Sequence, residues 1–149
     1  MIALGCDHGG FELMQNVKNY LESAGYKYKD FGTFSPKSCD YPKIAASAAK
    51  AIVSGECDKG ILICGTGIGM SMAANKTPGI RAALCTNRYM AEMTRSHNDA
   101  NVLVLGGRVT DTETAVEIVK AFLETAFSKK EKHRRRVAML SDMDKQTCK

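Results

Sequence analysis

The chain has 149 residues, 44% of them hydrophobic, and a formal charge of +5. This is enough for one domain with a proper core, and no apolar run approaches the length of a membrane span. The charge excess is local, with six basic residues and one acidic in Lys129-Lys130-Glu131-Lys132-His133-Arg134-Arg135-Arg136 and balance elsewhere; a run so short, with no interleaved aromatics and no accompanying motif, argues against nucleic acid as the partner.

In chain order, Ile2 to Cys6 reads as a strand ending in the polar turn Asp7-His8-Gly9-Gly10. Phe11 to Ala24 carries Leu13, Val17, Tyr20, Leu21 and Ala24 on one helical stripe, stopped by Gly25. Tyr26 to Phe31 is a more polar strand suited to a sheet edge, and Tyr41-Pro42 opens an alanine-rich helix to about Ser54. Gly60 to Ile63 is a short buried strand, followed by a glycine-rich turn and a helix from about Ile68. Ile80 to Cys85 is the fourth strand, and Thr86 or Asn87 caps a helix through Tyr89, Met90 and Met93 to Ser96-His97-Asn98-Asp99. Asn101 to Leu105 is the fifth strand, closed by Gly106-Gly107-Arg108. Thr110-Asp111-Thr112-Glu113 reads as a capping box for a helix with Ala115, Ile118, Val119, Phe122, Leu123 and Ala126 inward. Residues 1–149 form one domain, with a basic helix or tail from about residue 129. Strands alternating with helices, and no hairpin signal, predict an α/β fold: right-handed crossovers and a five-stranded parallel sheet covered on both faces. Asp7-His8, Cys64 to Gly69, Thr86-Asn87 and Gly106 to Arg108 then share the carboxyl-end side of the sheet.

The stretch Cys64-Gly65-Thr66-Gly67-Ile68-Gly69-Met70 is the strongest functional signal. It is not a P-loop, because Gly69 is followed by Met70 and Ser71. It is not a dinucleotide fingerprint, because its spacing is G-x-G-x-G and no carboxylate lies between Leu84 and Arg88. A cysteine phosphatase loop would carry an arginine where Met70 stands. Alternating glycines let several N–H groups point into one hollow, which suits a phosphate or the negative oxygen of a carbon acid that has lost its proton; Cys64 would be the base. His8 beside Asp7 can contact a sugar hydroxyl or phosphate. His97-Asn98 ends a helix with a further carboxylate at Asp99, and histidine is the side chain suited to moving protons near neutrality. All three histidines, His8, His97 and His133, sit among polar neighbours, so none is expected in a core. Six cysteines (Cys6, Cys39, Cys57, Cys64, Cys85, Cys148) with no leader segment are expected to be reduced thiols of a cytoplasmic protein. There is no C-x-x-C pair and no helical pair of histidines, so no metal or other cofactor is expected.

The residues Gly5-Cys6-Asp7-His8-Gly9-Gly10, Cys64 to Ser71, Ser96-His97-Asn98 and Gly106-Gly107-Arg108 together resemble the ribose-5-phosphate isomerase B family, over Met1 to about Val137. The resemblance implies a three-layer αβα sandwich with a Rossmann-like sheet, no metal, and a homodimer, or a tetramer, with sites at the subunit interface. It implies interconversion of aldose and ketose phosphates. Cys64 would move the proton between C1 and C2, Thr66 and the amides of Gly65, Gly67, Ile68 and Gly69 would hold the enediolate, and His97 would help open the furanose ring. Asp7, His8 and Asn98 would contact hydroxyls or phosphate, and Arg108, Lys132 and Arg136 would grip the phosphate. Where the family commonly has Arg-His-x-x-Arg-Val, this chain has Lys132-His133-Arg134-Arg135-Arg136-Val137, which keeps the charge but loses one two-pronged fork. The competing readings are a hexose-6-phosphate isomerase of allose or galactose type, a non-catalytic phosphosugar-binding subunit, and a thiol redox protein.

Overall fold

The structure is a computed structural model that describes residues 1–147, with side chains described to residue 145, so Cys148 lies outside the described residues. Five strands form one parallel sheet in the order β2-β1-β3-β5-β4, where β1 is Ile2–Cys6, β2 Tyr28–Asp30, β3 Lys59–Cys64, β4 Ala82–Leu84 and β5 Val102–Gly106. Helices α1 (Phe11–Ser23), α4 (Arg88–Asn98) and α5 (Thr112–Glu124) cover one face, and α2 (Tyr41–Val53) and α3 (Ile68–Ala74) the other. This split follows from handedness. Connections that move one way across the sheet must pass over one face, and those that move back must pass over the opposite face, if every crossover is right-handed.

Burial on both faces explains why the central strands are apolar without alternation. Ile61, Ile63, Leu103 and Leu105 point into the α1/α4/α5 core with Met14, Val17, Leu21, Ile118 and Phe122. Their neighbours Leu62, Cys64, Val102 and Val104 point into the α2/α3 core with Ala45, Ala48, Ala49 and Met70. Each fully buried aliphatic side chain contributes about 1.5–3 kcal/mol relative to exposure, and these clusters hold most of them.

The edge strand β4 is shorter than the run Ile80 to Cys85 suggests, because side chains take over its backbone bonding. Asn75 Oδ1 accepts from Ala82 N–H at 2.8 Å and its Nδ2 donates to Ala82 C=O at 2.9 Å; Asn101 Oδ1 accepts from Arg81 N–H at 2.8 Å. An edge so occupied does not pair with another strand. The cap of α5 also differs from expectation. Asp111, not Thr110, is the N-cap, accepting from Thr114 N–H at 2.9 Å and from its hydroxyl at 2.8 Å. The basic run straddles a turn at Lys129 and the first turn of α6 (Glu131–Thr147), which lies against α4 and is tied to the β4 edge where Gly79 N–H donates to Asp144 at 2.8 Å.

Phe122 is fully buried and carries the Arg95 guanidinium over its ring at 5.7 Å. Phe122→Ala should cost about 3–5 kcal/mol through the cavity it leaves. Thermal unfolding should show a Tm drop on the order of 10 °C.

Candidate active site

In this strand order β1 leads outward to β2 while β3 leads toward β4, so a crevice opens between the carboxyl ends of β1 and β3. Backbone bonds stitch the turns around it together. Asp7 N–H donates to Ile63 C=O at 3.1 Å, Gly107 N–H to Cys64 C=O at 2.8 Å, and Arg108 N–H to Gly65 C=O at 2.9 Å. The approach leaves no room for side chains. A Cβ on Gly10 would lie 2.5 Å from the Ile63 carbonyl oxygen, and one on Gly107 would collide with that of Gly9.

Cys64 ends β3 inside the α2/α3 core, 4% exposed, beside Gly106 in register. Gly67 is left-handed (φ +81°) and its carbonyl takes the first bond of α3, from Ser71 N–H at 3.1 Å. The N–H groups of Gly69 and Met70 therefore have no acceptor within the helix, while that of Ile68 donates to Thr66 Oγ1 at 3.3 Å. The Arg108 guanidinium lies against Gly65, its Nη1 3.3 Å from where a Cβ would sit. Asp7 is buried, with Oδ1 accepting from Gly9 N–H at 2.8 Å and Gly10 N–H at 3.2 Å, so one carboxylate oxygen belongs to the turn itself. His8 Nδ1 accepts from Cys39 N–H at 3.4 Å, which ties the loop before α2 to this crevice. Tyr41, read from sequence only as a helix opener, places its ring over Gly69, where a Cβ would be 2.7 Å from Cζ. No periodicity could have found it. The other thiols are less suited to chemistry: burial pushes Cys6 up to about 12 and Cys85 up to about 11.

The remaining site candidates form a second group at the opposite pole. Helix α4 starts at the carboxyl end of β4 and runs back against the strands, so His97 and Asn98 sit by the amino ends of β4 and β5. Arg81, just before β4, bonds the Asp99 carbonyl at 3.0 Å and its carboxylate at 3.3 Å. At about 3.3 Å per residue, β5 alone puts about 15 Å between this end and the Cys64 crevice. Asp99 is not free to orient His97, since it also accepts from Arg95 at 2.8 Å and caps α4 in the left-handed region. His133 overturns the expectation of exposure. It is 4% exposed, its Nδ1 lies 2.6 Å from Ser128 Oγ, and its ring is 4.3 Å from that of the exposed His97. Burial, then His97, Lys132, Lys130 and Arg136, hold its pKa below the ordinary histidine value. Lys132 and Arg136 are exposed on α6 beside it.

The chain thus brings together Cys64, Thr66, Gly65, Gly67, Ile68, Gly69, Asp7, His8 and Arg108. It gathers His97, Asn98, Lys132 and Arg136 elsewhere. Around the first group Ile68, Met72 and Tyr89 are half or more exposed, and Met90 is partly so, whereas Met93 is half-buried. Among the described residues no three His, Cys, Asp or Glu side chains converge as metal ligands, and no helix is long and apolar enough to cross a membrane.

Residues 2–140 match the ribose/galactose isomerase family. The chain is 45% identical over 143 residues to ribose-5-phosphate isomerase B of Escherichia coli, covering 96% of this chain and 95% of that one. The solved ribose-5-phosphate isomerase B of Clostridium thermocellum superposes with a TM-score of 0.96 at 49% identity, covering 98% of each chain. That of Thermotoga maritima does so with a TM-score of 0.92 at 50% identity, over 95% of this chain and 97% of that one. With the parallel sheet, the stitched crevice and the match over nearly its whole length, the chain belongs to the ribose/galactose isomerase family.

Proposed function

We propose that the protein interconverts D-ribose 5-phosphate and D-ribulose 5-phosphate through an enediolate, in a site completed by a second copy of the chain. The observation that carries this reading is the buried thiol of Cys64 at the end of β3 that borders the stitched crevice, next to a glycine turn with unbonded N–H groups and the Arg108 guanidinium against Gly65. As a thiolate, Cys64 takes the C2 proton of the open-chain aldose and returns it to C1. The oxygen that gains negative charge meets the turn amides and the Thr66 hydroxyl. Only the open chain has the carbonyl that makes the C2 proton acidic, so the bond from C1 to the ring oxygen must first break, the ring oxygen gaining a proton and the anomeric hydroxyl losing one to water. His97 of the partner subunit gives the ring oxygen its proton.

The division of labour follows from the opposite poles. Within one chain about 15 Å of β5 separates the end that carries His97 from the end that carries Cys64, which supports a second chain supplying the missing half. Exposed Ile68, Met72, Tyr89 and Met90 beside the crevice suit burial in that contact. Lys132 and Arg136 of the partner subunit would grip the phosphate together with Arg108, since a dianion calls for charge-assisted bonds from more than one cation. On this reading a homodimer is the smallest competent unit.

Cys64→Ala should lower kcat by roughly a hundredfold or more while leaving the fold intact, because a thiol adds little core. Activity above a tenth of wild type would remove Cys64 from the role of base. Mixing Cys64→Ala with His97→Ala should restore activity: random pairing leaves one intact site in each mixed dimer, so about a quarter of the sites recover. No recovery after verified subunit exchange would place both groups in one chain. Arg136→Ala should raise KM for ribose 5-phosphate about tenfold and leave the rate on free ribose nearly unchanged. Equal losses on both would return the basic run to a solvated face. A comparison of kcat/KM for ribose, allose and galactose phosphates tests the choice of sugar, and a preference for a six-carbon substrate would overturn it.

A further inference from the structure

The basic run contributes one residue that does not face solvent. His133 stands between Lys132 and Arg134 in sequence, yet it is buried, and α6 begins so as to bury it: its N–H bonds Lys130 C=O at 2.9 Å. The segment before α6 is pinned to α4 by Ser128 N–H, which donates to Ser96 C=O at 3.0 Å, one residue before His97. Ser128 Oγ then meets His133 Nδ1 at 2.6 Å and accepts from Lys130 N–H at 3.4 Å. With a backbone N–H already pointing at its oxygen, the hydroxyl is set to give its proton to Nδ1. The ring so oriented lies 4.3 Å from the His97 ring, tilted by 39°.

We infer that Ser128 and His133 are a positioning pair for His97: the Ser128 hydroxyl fixes the plane of a neutral His133, whose face fixes the exposed imidazole of His97 for proton transfer. This rests on the reading of His97 as the proton donor in ring opening. A neutral aromatic partner suits that task in two ways. It removes rotamer freedom from a side chain otherwise in solvent, and its π face tolerates a positive His97 where a charged neighbour would oppose it. Burial first, then His97 on α4, Lys132 on α6, Lys130 in the connection and Arg136 on α6, disfavour the charged form of His133. A phenylalanine would fill the space, but only a ring with an acceptor nitrogen is held in register by Ser128.

The sign of the pH dependence follows. The folded chain binds this proton at lower pH than the unfolded chain, so the packing of His133 is complete above the ordinary histidine value of about 6.5 and weakens as the pH falls below it.

His133→Ala should lower kcat about tenfold or more with KM within twofold, and should shift the His97 ring resonances in long-range proton–nitrogen spectra. His133→Phe, which keeps a stacked ring, should recover kcat to within about threefold. The wild type should lose amide protection over residues 131–137 as the pH is lowered from 7 to 5, and His133→Phe should abolish that loss. Ser128→Ala should lower kcat about threefold with KM unchanged, and serves where His133→Ala does not fold. A rise in KM without a fall in kcat would mean that His133 merely holds α6, with Lys132 and Arg136, in place. Loss of activity in His97→Ala but not in His133→Ala, with unmoved His97 resonances, would overturn the pair. Wild-type kcat in His97→Ala would instead overturn the role of His97, and the resonance shift would still decide whether the stack holds its ring.

Discussion

Three peptide groups at the carboxyl ends of β1, β3 and β5 approach so closely that no side chain fits between them, and the crevice is built on that contact. Asp7, Gly107 and Arg108 donate N–H bonds to Ile63, Cys64 and Gly65 in succession, so the turns after three strands behave as one piece. Cys64 is held both by these backbone bonds and by its packing in the α2/α3 core, and Arg108 is delivered to Gly65 by the same bonds. A methyl group at Gly10 or Gly107 would force the turns apart and move the thiol relative to the guanidinium. Such overpacking costs typically about 1–3 kcal/mol.

A second constraint is directional. In a parallel sheet each connecting helix must run against the strands, so what stands at a helix carboxyl end is carried to the pole opposite the strand carboxyl ends. His97 and Asn98 occupy that position on α4, and α6 places Lys132, His133 and Arg136 beside them. The Arg81, Arg95 and Asp99 network anchors the end of α4 to the start of β4, so this second pole is as firmly built as the first. Two built clusters at opposite poles of one chain, with exposed apolar side chains beside the first, are compatible with a self-complementary pair of subunits.

Most of the fold was legible because its signals are local. Strand and helix positions follow from apolar spacing, and Gly25 and Asn87 stop or cap helices through their own backbone and side-chain chemistry, whereas the cap of α5 falls one residue past the Thr110 that the capping-box pattern marks. Strand order was not legible, since β1 pairs with both β2 and β3 through contacts that leave no mark on any short window. The glycine turn showed where chemistry belongs, but not that Tyr41 would lie over it. His133 was misjudged for a specific reason. On α6 the inward stripe is His133, Val137, Ser141 and Asp144, spaced as one helix face, yet only Val137 is apolar. A stripe held by hydrogen bonds and a ring contact has the period of a buried face without its hydrophobicity.

The basic run therefore has a double electrostatic character. Its exposed cations, Lys132 and Arg136, suit a phosphate, and the same charges oppose a proton on the buried imidazole between them. A dianion held by those cations would offset part of the field they exert at His133, because charges on neighbouring turns of one helix act on the common buried point. Occupancy of the phosphate position and the proton state of the histidine stack are then linked. A chain that needed only to hold an anion could have placed its cations on any surface loop. Placing them around His133 couples the exposed cationic surface to the buried ring that lies against His97.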